Sequence, residues 1–460
     1  MLAEANLKAE ISSLIARKDT AALKKYIEPW LPADLAPRLA ELSIEELAGL
    51  FRCTSHELSA ATFGYLPIES QKKLLKLLSQ AHAAELLNAL SPDDRTAFIG
   101  ELPLDVAMQM LCLLSPVERK VAQDLLAYPE ESVGRMMTLD FVAVRPEWTV
   151  GEVLEFIREH GYDRETLNVI YVVDETGKLI DDVRVRRFLL APPTKRVSDL
   201  MDGDIARLQA TDDREHALAM FRRFDRVALP VVDDGGRLIG IVTVDDILDV
   251  ADEEATEDIQ KLGGTEALDE PYITIALSRM VKKRASWLIV LFLGEMLTAT
   301  AMTFFQGEIE KAVILALFVP LVISSGGNAG SQAATLVIRA LALGEFTLGQ
   351  WWKVMRRELA VGLALGLILG AVGFLRIAAW SMFSTVYGPH WILVAGTVGV
   401  ALVGIVLWGS LMGSMLPLAL KRLGFDPATS SAPFVATLVD VTGLVIYFSV
   451  AYLFLHGVML

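Results

Sequence analysis

Five long apolar segments in the C-terminal part of the chain restrict its fold more than any other feature. The segments cover residues 286–306, 312–338, 356–380, 391–419 and 431–456. A helix of about 20 apolar residues crosses a hydrocarbon core of about 30 Å, so each segment can span a bilayer. With 53% hydrophobic residues overall, the chain is predicted to be a multidomain, multi-pass membrane protein with a five-helix transmembrane domain over residues 284–460.

Charge divides the chain at Pro271. Residues 271–460 contain 12 Lys and Arg and 7 Asp and Glu, which leaves 30 basic and 50 acidic residues for residues 1–270. This acidic excess argues against nucleic acid as a partner, because binding there needs Lys and Arg to neutralise phosphates. It favours cations as partners, although acidic surfaces also serve solubility alone.

Basic residues flank alternate ends of the apolar segments. They cluster at residues 279–284 before the first segment, at 339–357 between the second and third, and at 421–422 before the fifth. Because Lys and Arg mark cytoplasmic loops, the N-terminal part is predicted to be cytoplasmic and the C-terminus to lie outside the cell membrane. The first 19 residues agree, since their amphipathic polar pattern lacks the apolar core of a signal peptide.

The sequence contains no pattern typical of an enzyme site. Cys53 and Cys112 fit a reducing compartment and offer neither a disulfide framework nor a metal motif. Six scattered histidines show no ligand spacing, and no nucleophile motif or phosphate-cradling loop is present. We therefore expect no catalytic activity.

Residues 1–130 are predicted to form a cytoplasmic α-helical domain. A Leu-Pro or Leu-Ser break recurs along it, beginning at Leu31, Leu42, Leu66, Leu90, Leu102 and Leu114. Such breaks start helices, because Ser caps the free amides and Pro suits the first turn. Repeated units of this kind predict a superhelical array that offers a docking surface. A plain helical bundle is the alternative.

Residues 131–252 contain an internal duplication, with copies over 131–194 and 195–252. The stretch YVVDETGKLI at 171–180 recurs as PVVDDGGRLI at 230–239. Each copy predicts a first strand, an amphipathic helix, a hairpin and a closing helix. The pattern resembles an α/β tandem pair of cystathionine-β-synthase-type (CBS) domains.

The second-copy stretch GIVTVDD at 240–246 resembles the nucleotide-contacting element of such pairs. The resemblance implies that Thr243 and Asp246 bind a ribose and a phosphate of a ligand such as ATP. The first copy has Asp181, Arg184 and Arg187 at the corresponding positions, which leaves at most one well-formed nucleotide site. A purely structural role for Thr243 and Asp246 is the alternative.

An acidic stretch follows at residues 245–262, and residues 253–283 are predicted to connect it to the membrane. Helical spacing places Asp246, Asp249, Glu253 and Glu257 along one face, where like charges four residues apart repel each other. One interpretation is a solvated connecting helix. The other is a low-affinity sensor of divalent cations, and its oxygen ligands would select hard ions such as Mg2+ or Ca2+.

Asp440 is an isolated carboxylate in the fifth apolar segment, about nine residues or roughly 14 Å from its start. An unpaired charge near the bilayer centre costs about 2.5 to 3.5 kcal/mol on insertion scales, so such a residue faces a partner or water. The small residues Ala436, Thr437 and Gly443 on its face leave room for a hydrated ion or for a neighbouring helix. A structural carboxylate paired with Arg339 is the alternative.

Polar and glycine residues interrupt the second apolar segment at SSGGNAGSQ, residues 324–332. They predict a broken helix, which membranes tolerate only beside protein or a wet cavity. Free carbonyls there and the Asn328 amide could bind a cation or cap another helix. Glu295 in the first segment is a second intramembrane carboxylate to which the sequence assigns no role.

The stretches PLVISSGGNAGSQAATLVIRA (320–340) and FDPATSSAPFVATLVDVTGL (425–444) resemble those of the MgtE family of magnesium channels, and the domain order agrees. The resemblance implies a homodimeric Mg2+ channel whose pore lies at the dimer interface. Its pore residues would be Asp440, the Ala436 carbonyl and Asp426 at the inner mouth, to which the interrupted segment adds Asn328. Regulatory Mg2+ would hold the gate closed by binding to acidic residues, namely Asp93, Asp94, Asp246, Asp249, Glu253, Glu257 and Asp258.

Two other functions stay open on the residues alone. One is a secondary transporter that couples another divalent cation, such as Mn2+ or Co2+, to protons through Asp440 or Glu295. The other is a membrane-anchored nucleotide sensor without transport, which leaves the intramembrane Asp440 unexplained.

Overall fold

The computed structural model describes residues 10–11, 13–15, 17, 19–27, 29–40, 42–162, 164–268, 272–273, 275–311 and 313–458. The chain forms two units, Met1–Asp252 and Glu253–Leu460. Most of the amphipathic pattern predicted for the first residues lies outside the described residues, as does Pro271.

Short helices begin at each of the predicted breaks in the N-terminal part. The helices are Thr20–Ile27, Pro32–Leu39, Ile44–Phe51, His56–Gly64, Ile68–Leu77, Gln80–Ala89, Pro92–Gly100, Leu104–Leu113 and Pro116–Leu126. Ser43 shows why the breaks work: its hydroxyl accepts a hydrogen bond from the Glu46 amide, and the Glu46 carboxylate accepts one from the Ser43 amide. Most of these helices pack against the next helix but one, which is the geometry of the predicted superhelical array.

The duplicated region forms two small mixed sheets with the same topology. The first contains strands Ala143–Val144, Val169–Val173 and Leu179–Arg184, and the second contains Leu208–Gln209, Ala228–Val232 and Leu238–Thr243. In each, the first strand runs parallel to the second and the second pairs with the third as a hairpin. The helices are Val133–Met136, Val150–His160, Val185–Leu190, Val197–Asp199 (3-10), Arg214–Phe224 and Val244–Leu262.

The two hairpin turns bind each other reciprocally. The Leu179 amide donates to the Gly236 carbonyl and the Leu238 amide donates to the Gly177 carbonyl, each at 3.0 Å. Gly177 and Gly236 have φ values of 83° and 79°, a conformation that favours glycine. The exchange relates the two copies by an approximate two-fold axis, so the predicted α/β pair is confirmed.

Five helices in the described C-terminal residues are long and apolar enough to cross a membrane, which confirms the predicted number. These spans are Leu277–Phe304, Val313–Ala342, Leu348–Ser381, Trp391–Arg422 and Ala432–Leu455. The second opens with a 3-10 turn, Val313–Phe318, and the third with Leu348–Gln350. Short helices at Gln306–Lys311 and Pro427–Thr429 precede the second and fifth spans.

The second, fourth and fifth spans pack together as the core of the membrane unit. The third span lies on the fourth through Gly362, Gly366 and Gly370, whose α-carbons approach the fourth helix closely. The first span contacts the fifth. Only 6% of the most apolar stretch of the first span is buried, and 22% of that of the third. These two helices therefore offer most of their surface to lipid or to another chain.

The predicted break in the second span is wrong. Residues 324–332 are α-helical throughout, within Val319–Ala342. Glycine has a low helix propensity, but Gly326 and Gly330 lie close against the fourth and fifth spans. This close packing stabilises the continuous helix. Ser325 donates its hydroxyl back to the Leu321 carbonyl at 2.7 Å, and the Ser331 hydroxyl reaches the Ala432 carbonyl of the fifth span at 3.1 Å.

Candidate functional site

Asp440 lies half-buried in the middle of the fifth span, beside the glycine-rich face of the second. A β-carbon placed on Gly327 would lie 3.4 Å from an Asp440 carboxylate oxygen and 3.3 Å from the Ala436 β-carbon. Among the described residues, Asp440 forms neither a hydrogen bond nor an ion pair. The alternative of a structural pair with Arg339 is therefore wrong.

The other small residues near Asp440 hold neighbouring helices. A β-carbon on Gly294 of the first span would lie 2.9 Å from Thr437 Cγ2, and one on Gly443 would lie 3.3 Å from Ile405 Cγ2. The predicted room at Thr437 and Gly443 is thus taken up by the first and fourth spans. Ala436 and Asp440 remain on the side of the second span.

Asn328 follows Gly327 on the second span and is exposed in the single chain. Its Nδ2 lies 3.5 Å from the Ser324 hydroxyl. The backbone carbonyls around it belong to a continuous helix, so the free carbonyls predicted from the interrupted sequence are not present. The side-chain amide is the group that Asn328 offers to an ion.

Asp426 holds a basic partner at the end of the fourth span. Its Oδ1 accepts a hydrogen bond from the Ala428 amide at 2.8 Å, and its Oδ2 accepts one from Lys261 Nζ at 2.6 Å. Lys261 also pairs with Glu257, four residues earlier on the helix Val244–Leu262. Partial burial disfavours the ammonium, but these two carboxylates outweigh it and raise the pKa of Lys261.

Asp258 lies beside this pair without joining it. Burial, and then the negative charge of Asp426, raise the pKa of Asp258 above its ordinary value. The segment therefore combines an internal ion pair with a carboxylate that forms no ion pair of its own among the described residues.

A second acidic cluster forms where the helix Pro92–Gly100 meets the start of Val244–Leu262. Burial and then the charge of Asp94 raise the pKa of Asp93 to about 6. Burial and then Asp93 raise the pKa of Asp246 to about 8, although Asp246 accepts a 2.7 Å hydrogen bond from the Thr243 hydroxyl. Asp93 also has a buried carboxylate oxygen without a hydrogen-bond partner. These sequence-predicted residues are thus brought together.

Glu165 belongs to the same cluster and was missed by the sequence analysis. It lies in the loop before strand Val169–Val173, where its amide donates to the Asp140 carbonyl at 2.9 Å. Burial and the charges of Asp93 and Asp245, in that order, raise its pKa to about 7. No spacing in the sequence marks Glu165, because only tertiary folding brings its loop to Asp93.

The predicted regulatory residues do not form a ready-made metal cage. No three Asp, Glu, His or Cys side chains within the described part of the chain converge as they do around a tightly bound ion. Asp249 lies further along the helix, where burial and then Asp245 raise its pKa, and Glu253 follows one turn later. An ion such as Mg2+ that keeps several waters suits carboxylates spread in this way.

Acidic repulsion should make the stability of the N-terminal unit depend on pH. The pKa values of Asp93, Glu165 and Asp246 exceed those of the unfolded chain. The contribution of these three groups to the free energy of unfolding is therefore fully present below about pH 4 and is lost as pH rises through about 6 to 8. Mg2+ binds only the ionised carboxylates, so it should raise the melting temperature of the full chain more at about pH 8 than at about pH 5.

Charge removal provides the control for this pH prediction. Asp246→Asn should raise the melting temperature at the higher pH without Mg2+ and reduce the Mg2+ effect. Glu175→Gln, which removes one charge from an exposed turn of the same unit, should change neither. An equal Mg2+ effect at both pH values would contradict the prediction.

A cavity lined by arginine lies between the two CBS copies. It has a volume of about 240 Å³, and its lining residues are Asp182, Arg184, Arg186, Arg187, Asp202, Asp204 and Arg226. Arg187 pairs with Asp202 at 2.9 Å and Arg226 with Asp182 at 3.2 Å. Asp181 is buried and accepts hydrogen bonds from the amides of Asp202 and Gly203, so it holds the cavity wall.

Known family models match the N-terminal domain, the duplicated region and a large part of the membrane unit. The family models are the MgtE intracellular N domain over residues 30–131, the CBS domain over 133–192 and 197–253, and MgtE, a divalent cation transporter, over 319–450. The intracellular N domain agrees with the predicted cytoplasmic location of the N-terminal unit.

Individual proteins give the same result. The chain is 38% identical to the magnesium transporter MgtE of Thermus thermophilus, with 99% of this chain and 100% of that protein covered. It is 29% identical to the MgtE of Bacillus subtilis over 94% of each. The crystal structure of the cytosolic domain of the Mg2+ channel MgtE in complex with ATP has a TM-score of 0.51 and 35% identity, covering 53% of this chain and 100% of that one. The chain therefore belongs to the MgtE family, as a multi-pass membrane protein with a cytosolic N-terminal part.

Proposed function

We propose that the protein is a Mg2+-selective channel that imports magnesium and closes when cytoplasmic Mg2+ binds its acidic residues. The observation that carries the proposal is Asp440, a carboxylate in the middle of a span without a partner among the described residues. Its position against Gly327 and Ala436 leaves the carboxylate oxygens available to an ion. The printed names of the full-length relatives, which are magnesium transporters, support the choice of ion.

A wide site with few charges suits hydrated Mg2+. The ion gives up its water reluctantly, so Asp440, the Asn328 amide and the Ala436 carbonyl would contact it through water. One chain supplies a single carboxylate at this level of the fifth span. A homodimer with its pore between the subunits would place two Asp440 carboxylates around one divalent ion and balance its charge.

Gating would follow from the acidic clusters. The carboxylates at Asp93, Asp94, Glu165 and Asp246 repel one another when cations are scarce. Mg2+ that bridges them favours the compact form, which is a population shift toward closure. We propose that Asp249, Glu253, Glu257 and Asp258 extend this response along the helix Val244–Leu262, so that this helix is the element that moves.

Flux into proteoliposomes tests the function and separates it from the alternative. We expect Mg2+ entry that follows the membrane potential, is unaffected by collapse of a pH gradient, and is suppressed by Mg2+ on the cytoplasmic side. Entry that stops when the pH gradient collapses would instead indicate a proton-coupled transporter. The proposal also places the C-terminus on the external side of the membrane.

Lys261→Met should make the gate more sensitive to cytoplasmic Mg2+. The substitution removes the ammonium that neutralises Asp426 and Glu257. A divalent ion then no longer competes with the ammonium for these two carboxylates. For a partly exposed pair worth about 1 kcal/mol, the Mg2+ concentration that halves the flux should fall about fivefold. Lys261→Arg should keep the native value.

Lys353→Met is the matched control for that experiment. It removes one positive charge from an exposed position at the start of the third span. An equal shift in both Met variants would show that net charge, rather than the pair with Asp426, sets the threshold.

We propose the arginine-lined cavity, rather than Thr243 and Asp246, as the site of a nucleotide phosphate. Thr243 and Asp246 bond to each other within the acidic cluster, where repulsion disfavours an anion. The cavity offers guanidinium groups, which match phosphate geometry, and the related cytosolic domain was crystallised with ATP. Loss of ATP binding in Arg226→Gln, with binding retained in Thr243→Val, would support this location.

A further inference from the structure

Glu295 is a charged residue in the first span that the function proposed above does not use. Its side chain is exposed in the single chain, and the described residues supply it with neither a hydrogen bond nor an ion pair. A carboxylate within a spanning helix is costly unless it faces water or a compensating group. Its surroundings must therefore explain why the chain carries it.

Two contacts fix the register of the first span against the fifth. Near the inner end, Trp287 Nε1 donates to the Ser431 hydroxyl at 3.1 Å, and the Trp287 ring lies 6.2 Å from the Phe434 ring. Two turns further, Gly294 contacts Thr437, because a β-carbon added to Gly294 would lie 2.9 Å from Thr437 Cγ2. The two helices therefore run side by side in the same direction.

This register places Glu295 at the depth of Asp440. Glu295 lies eight residues beyond Trp287 and Asp440 nine beyond Ser431, so both are roughly 12 to 14 Å along their helices from a shared level. The two carboxylates are close enough to interact electrostatically.

Thr298 supplies a second polar group at this depth. It follows Gly294 by four residues and so lies on the helix face that meets the fifth span. Its side chain is 9% exposed, and its buried hydroxyl has no hydrogen-bond partner among the described residues. A polar atom buried without a partner in a membrane helix carries a desolvation cost, which a water of a hydrated ion would relieve.

We propose that Glu295 is a second carboxylate of the ion path, which binds the hydrated divalent cation together with Asp440. The inference rests on the proposed function, because it assigns Glu295 to the path of the same ion. Two carboxylates from each chain at one depth attract a divalent cation more strongly than a monovalent one, since the Coulomb energy scales with the charge of the ion. Thr298 would hold water of its hydration shell.

Cysteine accessibility tests the inference without measuring transport. In full-length protein with Cys53 and Cys112 replaced by Ser, Glu295→Cys in proteoliposomes is treated with the permanently charged 2-(trimethylammonio)ethyl methanethiosulfonate. Leu297→Cys, at a position 58% exposed on the same helix, is the control for the lipid-facing side. We expect Glu295→Cys to react about tenfold faster than the control and Mg2+ to slow the reaction, because both occupy one aqueous path. Equal rates, or a rate that Mg2+ leaves unchanged, would overturn the inference.

Glu295→Gln adds a measurement of affinity. The Mg2+ concentration for half-maximal flux should rise about fivefold while the maximal flux is kept, because attraction of the ion is weakened and the Asp440 site remains. A merely structural role would lower the melting temperature or the maximal flux and leave the half-maximal concentration unchanged. If the native chain carries no Mg2+ the proposed function fails, whereas the labelling result still decides whether Glu295 lines a water path.

Discussion

Asp440→Asn should reduce Mg2+ flux about a hundredfold. The amide keeps the size of the side chain but removes the charge that, in the proposed function, faces the ion in the middle of the fifth span. At an effective dielectric constant of about 20, two unit charges 4 Å apart interact by about 4 kcal/mol, so loss of about 3 kcal/mol per site is reasonable even through one layer of water. The measurement is initial Mg2+ uptake into proteoliposomes with no Mg2+ on the cytoplasmic side, the condition in which the proposed gate is open.

Two variants separate this effect from general damage to the helix. Ser449→Ala removes an exposed hydroxyl of the same helix, which donates a hydrogen bond to the Val445 carbonyl, and this variant should conduct like the native chain. Asp440→Glu keeps the charge and should retain much of the flux. A flux in Asp440→Asn within about threefold of the native flux, with normal Mg2+ binding, would show that Asp440 is not at the ion site. A threefold change in flux corresponds to less than about 1 kcal/mol.

Much of the fold could be predicted because its signals are local. Leu-Pro and Leu-Ser breaks mark helix starts through capping, apolar length marks the spans, and repeated strand and turn patterns mark the CBS pair. The break predicted in the second span failed for a tertiary reason. Gly326 and Gly330 lower helix propensity in isolation, but in the fold they allow backbone contact with the fourth and fifth spans that stabilises the helix.

The candidate sites divide in the same way. Asp440 could be predicted because a lone carboxylate in an apolar segment is visible in the sequence. Glu165 could not, because only the folded loop brings it to Asp93, and the pairing of Asp426 with Lys261 joins residues 165 positions apart. Glu295 was visible as an intramembrane charge, but its depth relative to Asp440 depends on the contact between Trp287 and Ser431.

Gly409→Ala should strongly destabilise the membrane unit. A β-carbon at Gly409 would overlap the Gly326 carbonyl oxygen and lie 3.1 Å from the Gly326 carbonyl carbon. These atoms are backbone, so no rotamer change can relieve the contact and the second and fourth spans must move apart. Overpacking of this kind costs about 1 to 3 kcal/mol. Since the second span carries Gly327 to Asp440, Mg2+ flux should also fall.

Gly396→Ala is the matched control, because it lies in the same helix and a β-carbon there meets nothing within 4 Å. It should be neutral or slightly stabilising, since Ala favours a helix over Gly by up to about 1 kcal/mol. In Gly326→Ala the new methyl group overlaps γ-carbons of Ile405 and Val439, and the nearest backbone atom is at an ordinary contact distance of 3.4 Å. Side chains can shift more readily than backbone, so the melting temperature of this variant in lipid nanodiscs should lie between those of the other two variants. Equal melting temperatures for Gly409→Ala and Gly396→Ala would show that the second and fourth spans are not held at backbone contact. The ion path beside Gly327 would then be wider than proposed.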